Sequence, residues 1–125
     1  MSALCLIVDD SRVIRRMANE ILKGLGLRTA EAENGQRAVD FCRTTVPDMV
    51  LLDWNMPEMD GISCLKALRA MRLEPRPVVV MCTTENGISK IREALEAGAD
   101  EYIMKPYDQG VLLDKLTQVG LVEQA

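Results

Sequence analysis

Residues 50–61 read VLLDWNMPEMDG, an apolar run that becomes polar at Asp53. The apolar residues 49–52 are followed at once by Asp53, whose carboxylate is costly to bury unless something nearby uses its charge. Short, continuous apolar runs are typical of strands that are covered on both faces, as in a parallel sheet. The stretch therefore predicts a buried strand over 48–53 that brings an acid to the edge of a sheet.

Four other strands are predicted on either side of this one. ALCLIV at 3–8 and PVVVMC at 77–82 are equally apolar, whereas LRTAEA at 27–32 is more polar and EYIMK at 101–105 is short. Helical segments separate all five, which favours βαβ units and a parallel sheet. Right-handed crossovers and burial of the three apolar strands predict an α/β, doubly wound (βα)5 fold with strand order 2-1-3-4-5.

Five amphipathic helices complete the pattern. The first begins at Asp10 or Ser11, either of which can cap it, and ends near Gly24 or Gly26. The others are predicted at about 36–45, 61–72, 87–97 and 109–119. In the fourth helix the apolar spacing assigns the side chains of Ile88, Ile91 and Leu95 to the core, with Gly98 as the C-terminal cap.

Composition excludes several classes of function. A chain of 125 residues with 48% hydrophobic residues suits a single domain over residues 1–125. We expect no membrane insertion, because no apolar run approaches the length of a bilayer span, and no signal peptide is recognisable, so we expect a cytoplasmic protein. The net charge of −4 argues against nucleic-acid binding.

Cysteine and histidine usage narrows the chemistry further. The four cysteines are widely spaced, which predicts small buried core residues in a reducing compartment, with a redox or zinc role as the alternative. The chain has no histidine, which excludes His-ligated metal sites and His-dependent catalytic triads.

The carboxyl ends of the predicted strands carry a set of polar side chains: Asp9 and Asp10, Asp53 and Asn55, Thr83 and Glu85, and Lys105. Ligands of such folds bind at this edge, where the winding reverses between strands 1 and 3. Three carboxylates repel one another unless a cation neutralises them, and oxygen ligands suit Mg²⁺. A lysine and a threonine suit a phosphate. The set predicts phosphoryl chemistry with Asp53 as the nucleophile. Taken singly, the first acids could be helix caps and the lysine a surface residue.

The ordered motifs LIVDDS, LLDWNMPEMDG, CTTE and GADEYIMKP give the chain a family resemblance over nearly its whole length. It resembles the receiver domain of two-component response regulators, of the single-domain chemotaxis (CheY-like) type, which has a flavodoxin-like fold. The resemblance implies that Asp53 is the phosphoacceptor. It implies that Mg²⁺ is held by Asp9, Asp10, Asp53 and the backbone carbonyl of Asn55.

The resemblance also assigns roles around the phosphoryl group. Lys105 would contact it, followed by a cis bond to Pro106, and Thr83 would close on a phosphoryl oxygen while Tyr102 changes rotamer. The side chains of Asn55 and Glu85 would tune hydrolysis of the phosphoryl group.

The partners follow from the same resemblance. A histidine kinase or histidine phosphotransfer protein would donate the phosphoryl group to a monomeric signalling module, which catalyses only its own phosphorylation and dephosphorylation. A target protein, with the flagellar motor switch as one candidate, would bind the face formed by helix 4, strand 5 and helix 5. The side chains expected to be exposed there are Lys90, Glu93, Glu96, Tyr102, Lys115 and Gln118.

Other functions need weighing against this one. A phosphorelay intermediate, a phosphate sink or a stress-signalling adaptor would use the same site. An aspartyl-phosphate phosphatase of the haloacid-dehalogenase type usually has a second Asp two residues after the nucleophile, where this chain has Asn55, which cannot protonate a leaving group. Cyclic-dinucleotide binding is disfavoured because the C-terminal stretch LTQVGLVEQA has no arginine.

Overall fold

The computed structural model describes residues 2–84 and 88–121. Strands and helices alternate along the chain, in the order β1 (Leu4–Val8), α1 (Arg12–Gly24), β2 (Arg28–Ala32), α2 (Gly35–Thr44), β3 (Met49–Asp53), α3 (Gly61–Ala70), β4 (Val78–Thr83), α4 (Ile88–Glu96), β5 (Glu101–Met104) and α5 (Gln109–Gln118). All neighbouring strands pair in parallel, in the order β2-β1-β3-β4-β5. The predicted fold class and strand order are confirmed.

The central strand β3 is buried along its whole length. Its side chains alternate between two apolar layers, since Val50 and Leu52 pack in one cluster and Met49 and Leu51 in the other. The first cluster includes residues of α2 and α3, and the second includes residues of α1 and α5. Helices on both faces explain why the three central strands are continuous apolar runs.

Four helices begin at a polar cap. Ser11, Asn34, Asp60 and Asp108 each accept a hydrogen bond from a main-chain N–H three residues later, which satisfies one of the free donors at the helix start. Ser11, and not Asp10, therefore caps α1, and the carboxylate of Asp10 is left for the site. Gly98 follows α4 with a φ of +111°, a conformation that favours glycine, as predicted for a C-terminal cap.

The predicted core side of α4 is wrong in one position. Leu95 is 48% exposed, whereas its neighbour Ala94 is fully buried and Ile91 is half-buried. Positions three and four residues after Ile91 both lie near the buried face of a helix, and the small alanine occupies the contact with the sheet. The other predicted core residue, Ile88, has a side chain outside the described part of the chain.

All four cysteines are buried and free, as the sequence analysis expects of core residues. Burial raises the pKa of the thiols of Cys5 and Cys64 to about 12, so neither is a reactive thiolate near neutral pH. Within residues 2–84 and 88–121, no helix has the length and apolar character that spanning a membrane requires.

Candidate functional site

Three acids meet at the carboxyl end of the sheet. Asp9 follows β1 and Asp53 ends β3, and both are almost completely buried, whereas Asp10 is exposed. One carboxylate oxygen of each lies within 4.8 Å of those of the other two. Oxygen ligands at this spacing fit a hard divalent cation, so the cluster could hold a metal ion.

The fourth member of the site is Lys105, which follows β5. Its Nζ lies 2.8 Å from Oδ2 of Asp9 and 2.8 Å from Oδ1 of Asp53, so one ammonium group bridges the two buried acids. The main-chain N–H of Lys105 donates to the carbonyl of Thr83, 2.9 Å away, which ties the end of β5 to the end of β4. Residues predicted from four different strands thus lie together at one edge of the sheet.

Charge in this cluster is unbalanced, because one ammonium group faces three carboxylates. Burial raises the pKa of Asp53, the hydrogen bond from Lys105 opposes that rise, and the charges of Asp9 and Asp10 add to it. Burial alone would lower the pKa of Lys105, but its hydrogen bonds to Asp53 and Asp9 outweigh this and raise it. The site therefore favours an additional cation, and an ionised Asp53 is stabilised when one arrives.

Asp9 is fixed by contacts with three neighbours besides Lys105. Its Oδ1 accepts from the N–H of Ser11 at 2.9 Å, and its own N–H donates to the carbonyl of Ala32 at 3.2 Å. Nη1 of Arg15 donates to the carbonyl of Asp9 at 2.7 Å, and Nε of Arg15 pairs with Glu31 at 3.1 Å. Sequence reasoning missed Arg15, because its partner at the site is a main-chain oxygen, which no residue pattern reveals.

Of the remaining predicted site residues, Thr83, Asn55 and Pro106 end or follow strands at the same edge of the sheet. Thr83, at the end of β4, is buried, and Asn55, two residues after Asp53, is exposed. The peptide bond between Lys105 and Pro106 is cis, as the resemblance implies; a second cis bond precedes Pro75. Glu85 lies outside the described residues.

The face formed by α4, β5 and α5 is less open than expected. Glu93, Glu96 and Gln118 are exposed, but Lys90, Tyr102 and Lys115 are only half-exposed. Nζ of Lys115 lies 5.1 Å from the ring centroid of Tyr102 and 3.2 Å from Glu101. Nζ of Lys90 lies 5.0 Å from the ring centroid of Trp54, the residue after Asp53. These lysines lie over aromatic rings, so their ammonium groups are less exposed than the sequence pattern predicts.

An apolar cleft of about 340 Å³ adjoins the site on the side of Lys105. It is lined by Ile14, Met17, Thr84, Lys105, Pro106 and Tyr107. Tyr107 itself is buried, and this burial raises the pKa of its hydroxyl. An apolar surface therefore lies next to the acid cluster and Lys105 at this edge of the sheet.

Comparison with known proteins identifies the family. The model of the response regulator receiver domain matches residues 5–117. The chain belongs to this family. Among relatives, this receiver domain is 37% identical over 119 residues to the chemotaxis protein CheY of Bacillus subtilis. The aligned region covers 94% of this chain and 98% of that protein. The domain is 34% identical over 121 residues to CheY of Thermotoga maritima, with 96% and 99% of the two chains covered.

A solved structure agrees with the fold of this receiver domain. The chemotaxis response regulator CheY4 of Vibrio cholerae superposes with a TM-score of 0.90 at 32% identity, over 95% of this chain and 99% of that one. The predicted resemblance to the CheY-like type is thus confirmed in both sequence and structure. CheY-like response regulators are signalling modules, and the acidic cluster of this receiver domain is compatible with Mg²⁺.

Proposed function

We propose that this receiver domain is a phosphorylation-controlled switch in which Asp53 accepts a phosphoryl group. One observation carries the proposal: Lys105 bridges the buried carboxylates of Asp9 and Asp53, and Asp10 lies within 4.8 Å of both. An unbalanced group of acids around a strand-end aspartate is suited to a cation and to phosphoryl transfer. A purely structural ion pair would not need the third acid.

The proposed metal is Mg²⁺, held by the side chains of Asp9, Asp10 and Asp53 and by the backbone carbonyl of Asn55. When bound, Mg²⁺ supplies positive charge that offsets the charge of the carboxylates and of the transferring phosphoryl group. Asp10 is exposed and does not cap α1, so its carboxylate is available for this role.

In the transfer step, an oxygen of the Asp53 carboxylate attacks the phosphorus of the donor. A P–O bond to Asp53 forms while the bond between phosphorus and the donor's leaving atom breaks, which yields an acyl phosphate. Lys105 remains charged and its ammonium group contacts the phosphoryl oxygens, because this group already contacts Asp53. Thr83 provides a hydroxyl at the end of β4.

The proposed donor is a histidine kinase or a histidine phosphotransfer protein, since this chain has no histidine of its own. Such a donor has to bring a phosphorylated side chain to Asp53 at the edge of the sheet. The apolar cleft beside Lys105 supports this approach, because it adjoins the site and offers an apolar contact.

The proposed output surface is the face of α4, β5 and α5. A phosphoryl group adds about −1.5 to −2 charge at Asp53. The unphosphorylated and phosphorylated proteins sample the same conformers, and the added charge changes the relative populations of these conformers. Thr83 on β4 pairs in register with Met104, the last residue of β5. Glu101 is the first residue of that strand. A movement of Thr83 toward the phosphoryl group would therefore act on β5 and on Tyr102, whose rotamer we propose to change.

The proposed pathway is chemotaxis, in which the target protein would be a component of the flagellar motor switch. Support comes from the names of the relatives, several of which are chemotaxis proteins. A phosphorelay intermediate, a phosphate sink or a stress-signalling adaptor would use the same acceptor chemistry and differ only in partner. Turnover of small phosphorylated substrates is disfavoured, because Asn55 cannot act as a general acid.

The acceptor assignment is tested by incubation with acetyl phosphate and Mg²⁺, followed by intact-protein mass spectrometry. The wild type should carry one phosphoryl group, and Asp53→Asn should carry none. Asp48→Asn is the matched control, because Asp48 lies just before the opposite end of the same strand, and it should be labelled like the wild type. Undiminished labelling of Asp53→Asn would refute the assignment.

The metal assignment is tested separately by titration with Mg²⁺. Asp10→Asn should weaken binding about 10-fold or more, as expected when one carboxylate of a small oxygen site is lost. Asp114→Asn, at an exposed position of α5, serves as the control and should bind like the wild type. Equal affinity of Asp10→Asn and the wild type would remove Asp10 from the site.

A further inference from the structure

The first residue of α3, Gly61, lies against the main chain that carries the phosphoacceptor. A Cβ atom added to Gly61 would overlap the carbonyl oxygen of Asp53 most severely, and would lie 2.7 Å from Cα of Trp54 and 2.9 Å from Cε of Met81. Ordinary van der Waals contacts of a Cβ begin near 3.4 Å. The peptide unit that joins Asp53 to Trp54 therefore lies so close to position 61 that only a glycine fits there.

Space, and not backbone conformation, is what requires glycine at this position. The φ of Gly61 lies outside the left-handed region, unlike that of Gly98, so the backbone there is open to other residues. The N–H of Gly61 donates to the carbonyl of Trp54 at 2.8 Å, and the N–H of Trp54 donates to the carbonyl of Cys82 at 2.9 Å. The segment 53–54 is thus held between the start of α3 and the end of β4.

We propose that Gly61 is a positioning residue for the acceptor site, which sets the Asp53–Trp54 peptide against the first turn of α3. This peptide is joined directly to the Cα of Asp53 on one side and leads to the carbonyl of Asn55 on the other. A shift of this unit displaces the acceptor carboxylate and a proposed metal ligand together. The inference rests on the proposed function of Asp53 and adds a residue that contacts neither the metal nor the phosphoryl group.

The substitution that tests the proposal is Gly61→Ala. Positioning groups around a metal typically change its affinity 10- to 100-fold when they are altered, and an error of about 1 Å slows a reaction by about 100-fold. We expect Gly61→Ala to weaken Mg²⁺ binding by about 10-fold or more and to slow labelling by acetyl phosphate by about 10- to 100-fold. Mg²⁺ binding is followed by the fluorescence of Trp54, the single tryptophan of the chain.

Two other glycines in first turns provide matched controls. Gly110 follows the Asp108 cap of α5, and a Cβ added there would come no closer than 3.5 Å to Asp108. Gly35 begins α2, and the three atoms nearest its added Cβ all belong to the side chain of Met59 on the loop before α3. Gly110→Ala and Gly35→Ala should bind Mg²⁺ and accept phosphoryl groups within about twofold of the wild type, as expected when no backbone near the site is displaced.

The outcomes separate this proposal from the function on which it rests. A folded Gly61→Ala protein that matches the wild type in Mg²⁺ affinity and labelling overturns the role of Gly61 and leaves Asp53 as the acceptor. Equal losses in Gly35→Ala and Gly61→Ala also overturn it, because they would point to the Met59 loop. A wild type that neither binds Mg²⁺ nor becomes labelled overturns the proposed function, and this proposal with it.

If Gly61→Ala does not fold, hydrogen exchange in the wild type decides. Coupling between two positions is reciprocal, so occupancy of the metal site must stabilise the contact of Gly61 with the acceptor segment. Mg²⁺ should slow exchange of the Gly61 amide more than exchange of the Arg28 amide, which donates to the carbonyl of Ala3 at the opposite end of the sheet. Equal slowing of both amides would contradict the proposal.

Discussion

Lys105 sets the charge balance of the site, because its single ammonium group contacts two of the three acids. Arg15 fixes the main chain of Asp9 and Gly61 borders that of Asp53, so each buried acid is held through its backbone as well as through its carboxylate. These contacts hold the carboxylates of Asp9 and Asp53 close together, so the two acids cannot relieve their repulsion by moving apart. A bound cation relieves it.

Removal of the lysine should expose this repulsion. Lys105→Ala should lower the free energy of unfolding of the metal-free protein by about 2 kcal/mol at neutral pH, because hydrogen bonds between charged groups are lost. Added Mg²⁺ should restore most of that loss, while labelling by acetyl phosphate should be about 100-fold slower. Denaturant unfolding with and without Mg²⁺ measures the first effect. Lys66→Ala, at an exposed position of α3, should change neither, and an equally stable, equally reactive Lys105→Ala would contradict the role.

The raised pKa of Asp53 predicts a pH dependence of stability. An acid with a higher pKa in the folded protein than in the unfolded one holds more protons when folded, so stability falls as pH rises from about 4 through the folded pKa. The raised pKa of Lys105 acts only at alkaline pH, above this window. Asp53→Asn removes the acid and leaves Lys105 paired with Asp9.

We therefore expect metal-free Asp53→Asn to be more stable than the wild type at pH 7, by about 1 kcal/mol. The difference should shrink as pH falls and vanish near pH 3, where the wild-type carboxyl is protonated. Denaturant unfolding in EDTA across this range provides the measurement, with Asp114→Asn, at an exposed position of α5, as the control. A wild type that is more stable than Asp53→Asn at pH 7 would show that the acid cluster is not under electrostatic stress.

Among the helices, α3 and α4 are joined at the end of the sheet opposite the site. The guanidinium of Arg69 on α3 donates to the carbonyls of Gly98 and Pro77 and to the carboxylate of Asp100. Arg76 donates to the same carboxylate at 2.8 Å. The C-terminal end of α4 is therefore fixed, whereas its N-terminal end lies on the side of the acceptor.

This contact should contribute strongly to stability. Arg69→Ala leaves the carbonyl of Pro77 without its donor and removes donors from Gly98 and Asp100, which keep those of Arg76, so it should lower the free energy of unfolding by about 2 kcal/mol. Arg92→Ala, at an exposed position of α4, should change it by less than about 0.5 kcal/mol. Thermal or denaturant unfolding of both variants checks the difference. A loss below about 1 kcal/mol for Arg69→Ala would show that the contact is weak.

The exposed position of Leu95 leads to a second prediction for α4. Leu95→Ala should cost less than about 1 kcal/mol, while Leu112→Ala, at a fully buried position of α5, should cost about 2–5 kcal/mol. Unfolding experiments on the pair test the corrected orientation of the helix. Similar large losses in the free energy of unfolding for both variants would show that Leu95 is a core residue, as the sequence periodicity predicts.

Over the whole molecule, the sequence predicts the sheet better than it predicts the contacts between elements. Strand order followed from which apolar runs need cover on both faces, and the acid cluster followed from where parallel strands end. Arg15 and Arg69 were missed because main-chain carbonyls distant in sequence accept their hydrogen bonds, and these leave no residue pattern. Leu95 was misplaced because adjacent apolar positions on a helix compete for one buried face.

The same architecture joins the site to the proposed output face. β5 carries Tyr102 on that face and leads directly into Lys105, while its neighbour β4 ends in Thr83. In the proposed switch, a change of charge at Asp53 would reach this face through the two paired strands β4 and β5.

Identification of the phosphorylated residue tests directly whether Asp53 is the phosphoacceptor. The wild type is incubated with acetyl phosphate and Mg²⁺, reduced with borohydride, which converts an aspartyl phosphate to homoserine, and mapped by peptide mass spectrometry. Homoserine is expected at position 53 and at no other aspartate, with none formed in EDTA. Homoserine at another position, or unmodified Asp53 in folded, Mg²⁺-saturated protein, would contradict this assignment.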